Sequence, residues 1–193
     1  MISQEYYIAH RAVCLEQLND YHQKLFYDEE GTKYITDTKE FAKKIKLTIE
    51  YVSPIYWEKT ESSILGEILK EEDQYICKID NTLCNTKQKF TEAHEIAHYI
   101  LHRKEIDKAI KDNKFFRENA YLLNDKISPR QEFETNQKAL EIILPIKLIS
   151  QYLIVNQLGR THLTWKNITD IAKAFGVHEH DVMYRLFGRV LCM

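Results

Sequence analysis

The chain has 193 residues, which fits one domain or one domain with a small appendage, and 44% of them are hydrophobic, enough for a real core. A formal net charge of −2 removes any overall electrostatic case for nucleic acid or an anionic membrane as partner. Four scattered cysteines (Cys14, Cys77, Cys84, Cys192) form no C-x-x-C pair, which argues against a zinc knuckle or redox motif and for reduced thiols in a cytosol.

The N-terminus lacks a charged-then-apolar signal pattern, and no apolar run is long enough to span a bilayer. A cytoplasmic location without membrane contact is therefore the expectation. Five glycines and three prolines predict a helix-rich fold with few long ordered loops. Residues 3–27 read as an amphipathic helix with Ile8, Ala12, Leu15 and Leu18 on one face, extended by Tyr21, His22 and Leu25. The run Asp28 to Thr32 breaks this pattern, and Phe41 to Leu47 reads as a second short helix.

Three segments then have strand length and strand composition: Leu47–Val52, Ser63–Leu69 and Tyr75–Ile79. Lys70 to Gln74 reads as a hairpin connection. A small three-stranded sheet thus precedes the next helix, and the fold class is α+β. Such a sheet supplies the edge on which an extended substrate can pair.

The stretch Lys89 to His102 contains His94-Glu95-x-x-His98. Residues four apart lie one above the other on a helix, so His94 and His98 can present their imidazoles to one metal ion. A catalytic zinc keeps three protein ligands and one open position, and it acidifies the water bound there. Glu95, beside the first histidine, is placed to act as general base without being a ligand. Phe90, Ala93, Ala97 and Leu101 share the histidine face, which turns it toward protein. Asn85 or Thr86 is the expected N-cap. His102 lies a further turn on, and three histidines spaced by four drift around the helix. It therefore reads as a packing or supporting residue behind the ligands.

Arg103 to Arg130 is charged and interrupted by Phe115, Phe116, Tyr121, Leu122 and Leu123; it reads either as a short helix and loop covering a cleft or as a surface connection. The third ligand must follow, and composition leaves Glu105, Asp107, Glu118, Asp125, Glu132, Glu134 and Glu141 open. The best carrier is a helix from about Gln131 to Leu144, docked by Phe133, Leu140, Ile143 and Leu144, with Glu132 and Glu134 in its first turn. Near the C-terminus, Ile168–Val177 and Glu179–Leu186 read as two short helices around a glycine turn, like a helix-turn-helix. Glu179 and Asp181 at the head of the second helix would repel phosphates, so direct DNA binding is not expected. His178 and His180 read as surface or capping residues.

The run Phe90-Thr91-Glu92-Ala93-His94-Glu95-Ile96-Ala97-His98-Tyr99-Ile100-Leu101-His102 resembles the signature F-T-x-A-H-E-x-x-H-x-x-x-H of the ImmA/IrrE zinc metallopeptidases. A second block of that family, E-A-N-x-F-A-x-x-L-L-M-P, is matched by Glu134-Thr135-Asn136-Gln137-Lys138-Ala139-Leu140-Glu141-Ile142-Ile143-Leu144-Pro145. The resemblance covers about residues 40–190 and implies Glu134 as the third zinc ligand. It divides the chain into an N-terminal helical extension, 1–40, and a metallopeptidase domain, 41–193, completed by the helical part 160–193. Lys138 replaces an aromatic of the family pattern, where a salt bridge is one expectation, and Glu92 replaces an aliphatic, expected to alter the surface beside the site. The pattern H-E-x-x-H-x-x-G-x-x-H is absent, because Leu101 and Lys104 occupy the relevant positions.

The tetrahedral oxyanion of such a reaction needs a further donor, and the sequence leaves Tyr99, Tyr121 and His102 open. The resemblance implies one Zn²⁺ per chain. It further implies a protein substrate. Many members are encoded near helix-turn-helix repressors, often in phages and mobile elements, and cleave them. The rival readings are a non-catalytic zinc-binding regulatory or toxin-like module and a DNA-binding regulator acting through residues 168–187.

Overall fold

In the computed structural model, residues 3–26, 34–53, 55–56, 63–111, 116–117 and 128–188 are described. Their order is α1 (Gln4–Phe26), α2 (Thr38–Lys44), β1 (Leu47–Val52), β2 (Ile55–Tyr56), β3 (Ser63–Ile64), β4 (Gly66–Glu71), β5 (Gln74–Asp80), α3 (Asn85–Leu101) and α4 (Arg103–Lys111). Then follow β6 (Phe116–Arg117), α5 (Pro129–Ile143), α6 (Ile146–Val155), a short 3-10 turn (Arg160–His162), α7 (Trp165–Phe175) and α8 (Glu179–Phe187). The fold is α+β and helix-rich, as the sequence predicts.

β1, β5 and β4 form the body of a mixed sheet in the order β1-β5-β4, and two-residue β6 adds to its β4 edge. β1 runs parallel to β5, with Leu47 opposite Tyr75, while β4 and β5 form an antiparallel hairpin with Gly66 opposite Ile79. Glu72 at φ 53 closes that hairpin, in the segment where a connection was expected. The second predicted strand segment divides in two, because Ser63–Ile64 pairs with β2 while Gly66 onward pairs with β5.

α3 is the centre of the molecule. Every residue from Thr91 to Ile100 is buried, so the helix has no solvent face along that stretch. The sheet covers one side, α5 another, and α1 and α2 the rest. Ala93, Ala97 and Ala139 are fully buried, and their small side chains let α3 and α5 approach closely. Glu92 does not lie on the surface. It is buried and accepts hydrogen bonds from the hydroxyls of Thr38 and Tyr51, joining α3 to α2 and β1. The N-cap is Cys84, one residue before the expected positions, and its side chain makes no capping hydrogen bond.

α1 buries Cys14, Leu18 and Tyr21 in the same core cluster as α3, while Ile8, expected inside, is 62% exposed. Polar anchors far away in sequence set this face. The Tyr7 hydroxyl donates to Asp107 at 3.1 Å, and the Tyr21 hydroxyl donates to the Asp37 carbonyl at 3.1 Å. Asp107 also accepts from the Tyr75 hydroxyl and from Arg103 Nε at 3.3 Å, and the Arg103 guanidinium lies 3.4 Å from the Tyr75 ring centroid. Residues 103–111 are thus a packed helix, α4, with Arg103, Ile106, Asp107 and Ala109 buried. The rest of the stretch up to Ser128, including Tyr121, Glu118 and Asp125, lies outside the described residues except for β6.

The C-terminal pair has the predicted shape. α7 ends on Gly176 in the left-handed conformation at φ 63, and His178 caps α8 in a capping box with Asp181. The pair is docked onto the body of the domain. Val182 and Leu186 are buried, Gln137 Nε2 donates to the Tyr184 hydroxyl at 2.9 Å, and Arg185 Nε donates to the Leu144 carbonyl at 3.0 Å. Lys89 Nζ of α3 donates to the Phe175 carbonyl at 2.7 Å, closing the C-terminal end of α7. Among the described residues, no helix is long and apolar enough to cross a membrane.

Candidate metal centre

Two helices build the site. α3 supplies His94 and His98, one turn apart and both buried. α5 begins at a capping box in which Ser128 Oγ accepts from Gln131 N and Gln131 Oε1 accepts from Ser128 N, with Pro129 at the first turn. This start fixes the rotation of α5 and turns Glu132 inward.

His94 Nε2 and His98 Nε2 are 2.9 Å apart. The Glu132 carboxylate lies 3.5 Å from each, through Oε2 to His94 and Oε1 to His98. Two ligands about 2.05 Å from a tetrahedral zinc ion are separated by about 3.3 Å, so these three spacings suit one such ion. The outer hydrogen bonds agree. His94 Nδ1 donates to Asn136 Oδ1 at 2.9 Å, and His98 Nδ1 lies 3.3 Å from the Thr135 hydroxyl. With both Nδ1 atoms donating, the neutral rings turn their Nε2 lone pairs toward each other and toward a carboxylate, an arrangement that a cation between them stabilises.

Protonation favours the same outcome. Burial pushes His98 down to about 4, against the opposing pull of Glu132, so it is neutral near pH 7. Burial by itself would raise the Glu132 carboxyl, but hydrogen bonds and charge from His94 and His98 outweigh it and hold it at about 2. Neutral imidazole and ionised carboxylate are the forms a divalent metal takes as ligands.

This geometry corrects the expected ligand set. Glu134 is not beside the histidines; its side chain is 45% exposed and pairs with Arg130 at 3.0 Å, whereas Glu132 is 7% exposed. The two glutamates are about 200° apart around the helix axis. Glu132 shares its face with Thr135, Ala139, Ile142 and Ile143, all buried, while Glu134 belongs to an outer stripe with Arg130, Lys138 and Glu141. That contrast was available in the sequence and would have favoured Glu132. Lys138 makes the expected salt bridge, to Glu141 at 2.6 Å. Phe133, expected to help dock α5, is 56% exposed.

Glu95 is buried, and its carboxylate lies against Gly66 at the head of β4. Phe90 flanks the site one turn before His94, with ring centroids 6.2 Å apart. His102 stands behind the ligands, with Nε2 3.2 Å from the Thr135 hydroxyl. Tyr99 lies away from the ligands. It projects from another side of α3, with its hydroxyl 3.5 Å from the Lys46 carbonyl and its ring packed on Tyr75 and His10. Among the described residues, His94, His98 and Glu132 form the one group of three or more potential ligands close enough to hold a metal ion.

The sequence profile of peptidase M78, described as the IrrE N-terminal-like domain, matches residues 68–187. No curated protein matches the chain significantly. Among solved structures, a Mycobacterium tuberculosis transcriptional regulator aligns with 95% of this chain at 12% identity and a TM-score of 0.43. The aligned part is 46% of that regulator's length, so the chain spans about half of it.

Proposed function

Because the chain belongs to the peptidase M78 family, we propose that it is a zinc-dependent endopeptidase and that its substrate is a helix-turn-helix repressor. The observation that carries the reading is the convergence of His94 Nε2, His98 Nε2 and the Glu132 carboxylate on one buried point, with Glu95 adjacent to His94 on the same helix.

His94, His98 and Glu132 would hold the ion, in place of the Glu134 expected from the family block. Zinc held there supplies a Lewis acid that acidifies water and polarises a peptide carbonyl. Asn136 and Thr135 orient the two imidazoles through their Nδ1 atoms. Glu95 accepts the proton of the attacking water and passes it to the leaving amine. Its burial against Gly66 of β4 keeps it out of bulk solvent. A repressor as substrate fits the family's known habit, and a cytoplasmic site of action follows from that substrate.

The test compares wild type with Glu95→Gln, both zinc-loaded, against helix-turn-helix repressors, any encoded beside the gene included, and against a mixed peptide library, with products read by mass spectrometry. The reading predicts cleavage by wild type and none by Glu95→Gln, with equal zinc in both. Equal activity of the two would sink the general-base assignment. Zinc without any cleavage would leave a zinc-binding interaction module.

A further inference from the structure

The Thr135 hydroxyl is a junction of three hydrogen bonds. Oγ1 lies 2.8 Å from the Gln131 carbonyl, 3.3 Å from His98 Nδ1 and 3.2 Å from His102 Nε2. A hydroxyl owns one proton and two lone pairs. The Gln131 carbonyl can only accept, so the hydroxyl proton goes there. Both imidazole nitrogens must then donate to the same oxygen. This assigns His98 the Nδ1–H form and leaves its Nε2 lone pair facing His94 and Glu132. It assigns His102 the Nε2–H form, whose Nδ1 accepts from Gln131 Nε2 at 3.5 Å. Gln131 Oε1 is in turn held by Ser128 N at 2.9 Å. The chain of contacts therefore runs from the cap of α5 through Gln131, His102 and Thr135 to His98.

We propose that Thr135 is a positioning residue: its hydroxyl sets the imidazole tautomer of His98, and through the same oxygen it holds His102 as a supporting donor. Thr135 is fully buried, so water does not substitute for the hydroxyl when it is removed. His102 is then occupied at both ring nitrogens, by Thr135 and Gln131, and serves neither as a ligand nor as a donor to substrate. This rests on the metal-site reading for its consequence but not for its test, because tautomers are measurable in the metal-free protein.

The experiment is long-range ¹H–¹⁵N correlation NMR of the histidine rings in metal-free wild type, Thr135→Ser and Thr135→Val near neutral pH, followed by zinc titration of each. Valine keeps the shape of threonine and deletes the hydroxyl, whereas serine keeps the hydroxyl and deletes a methyl. Wild type and Thr135→Ser should show Nδ1–H at His98 and Nε2–H at His102, with closely similar zinc affinity. Thr135→Val should lose the single tautomer at His98 and weaken zinc by about 10- to 100-fold, the usual effect of losing such a partner. A role in packing alone would reverse this order, with valine behaving as wild type and serine as the defective variant. That result, or an Nε2–H form of His98 in wild type, would overturn the proposal. The wild-type spectrum decides it even where Thr135→Val does not fold.

Discussion

Gly66 lies directly against Glu95: a Cβ at position 66 would come 2.9 Å from both Cγ and Oε1 of the glutamate and 3.0 Å from Thr91 Cγ2. The first residue of β4 is thus fitted to the carboxylate assigned as general base. The buried surroundings leave that carboxylate little room to give way. Gly66→Ala should displace it while leaving His94, His98 and Glu132 in place. We expect turnover to fall by about 100-fold, the scale set by a displacement near 1 Å, with zinc content unchanged. Peptide-cleavage kinetics with parallel zinc analysis checks this; wild-type turnover would contradict it.

Lys89 links α3 to the C-terminal helices through the Phe175 carbonyl. Burial pushes its ammonium down to about 8 from the ordinary 10.5, against the weaker pull of Glu92 and Asp37. The charged form is therefore disfavoured in the folded protein, and between these two values the unfolded chain binds more protons. Stability from this group should rise with pH from about 8 to about 10.5. Urea unfolding at intervals across that window should show the rise in wild type and its absence in Lys89→Met. A parallel pH profile for the two would show that Lys89 is not its source.

Arg185 ties α8 to the end of α5 by donating from Nε to the Leu144 carbonyl at 3.0 Å, with the ion half-buried. Hydrogen bonds to a charged partner are worth about 1.5–3 kcal/mol, so Arg185→Ala should destabilise the domain by about 2 kcal/mol. The midpoint of urea unfolding measures it. No shift would mean that α7 and α8 are held by their apolar contacts alone.

The same docking argues against a recognition helix. α8 carries Glu179 and Asp181 in its first turn and buries Val182 and Leu186. Duplex binding measured from low to moderate salt should be weak and show no steep salt dependence; a steep slope would restore the DNA-binding reading.

Local chemistry was readable from the sequence, and long-range geometry was not. The histidine helix was legible because His94 and His98 sit at helical spacing among apolar neighbours, and the turn between α7 and α8 because Gly176 takes a left-handed conformation at φ 63. The face of α1 was not legible from apolar period, because its anchors are Tyr7 and Tyr21 and the partner of Tyr7 is Asp107, 100 residues away. The parallel pairing of β1 with β5 is likewise non-local, with β2, β3 and β4 intervening. Glu132 is an intermediate case. The family block aligns Glu134 with its glutamate, whereas the burial of Thr135, Ala139 and Ile142 on the Glu132 face selects the other. Glu92 was misread as a surface residue because its partners, Thr38 and Tyr51, come from two other elements.

The most direct test of the metal centre is elemental analysis of wild type, Glu132→Ala and Glu134→Ala, purified and reconstituted side by side. The geometry predicts one zinc ion per chain in wild type, retention in Glu134→Ala, and loss or severe weakening in Glu132→Ala. Zinc lost from Glu134→Ala but kept by Glu132→Ala, or no zinc in reconstituted wild type, would contradict it.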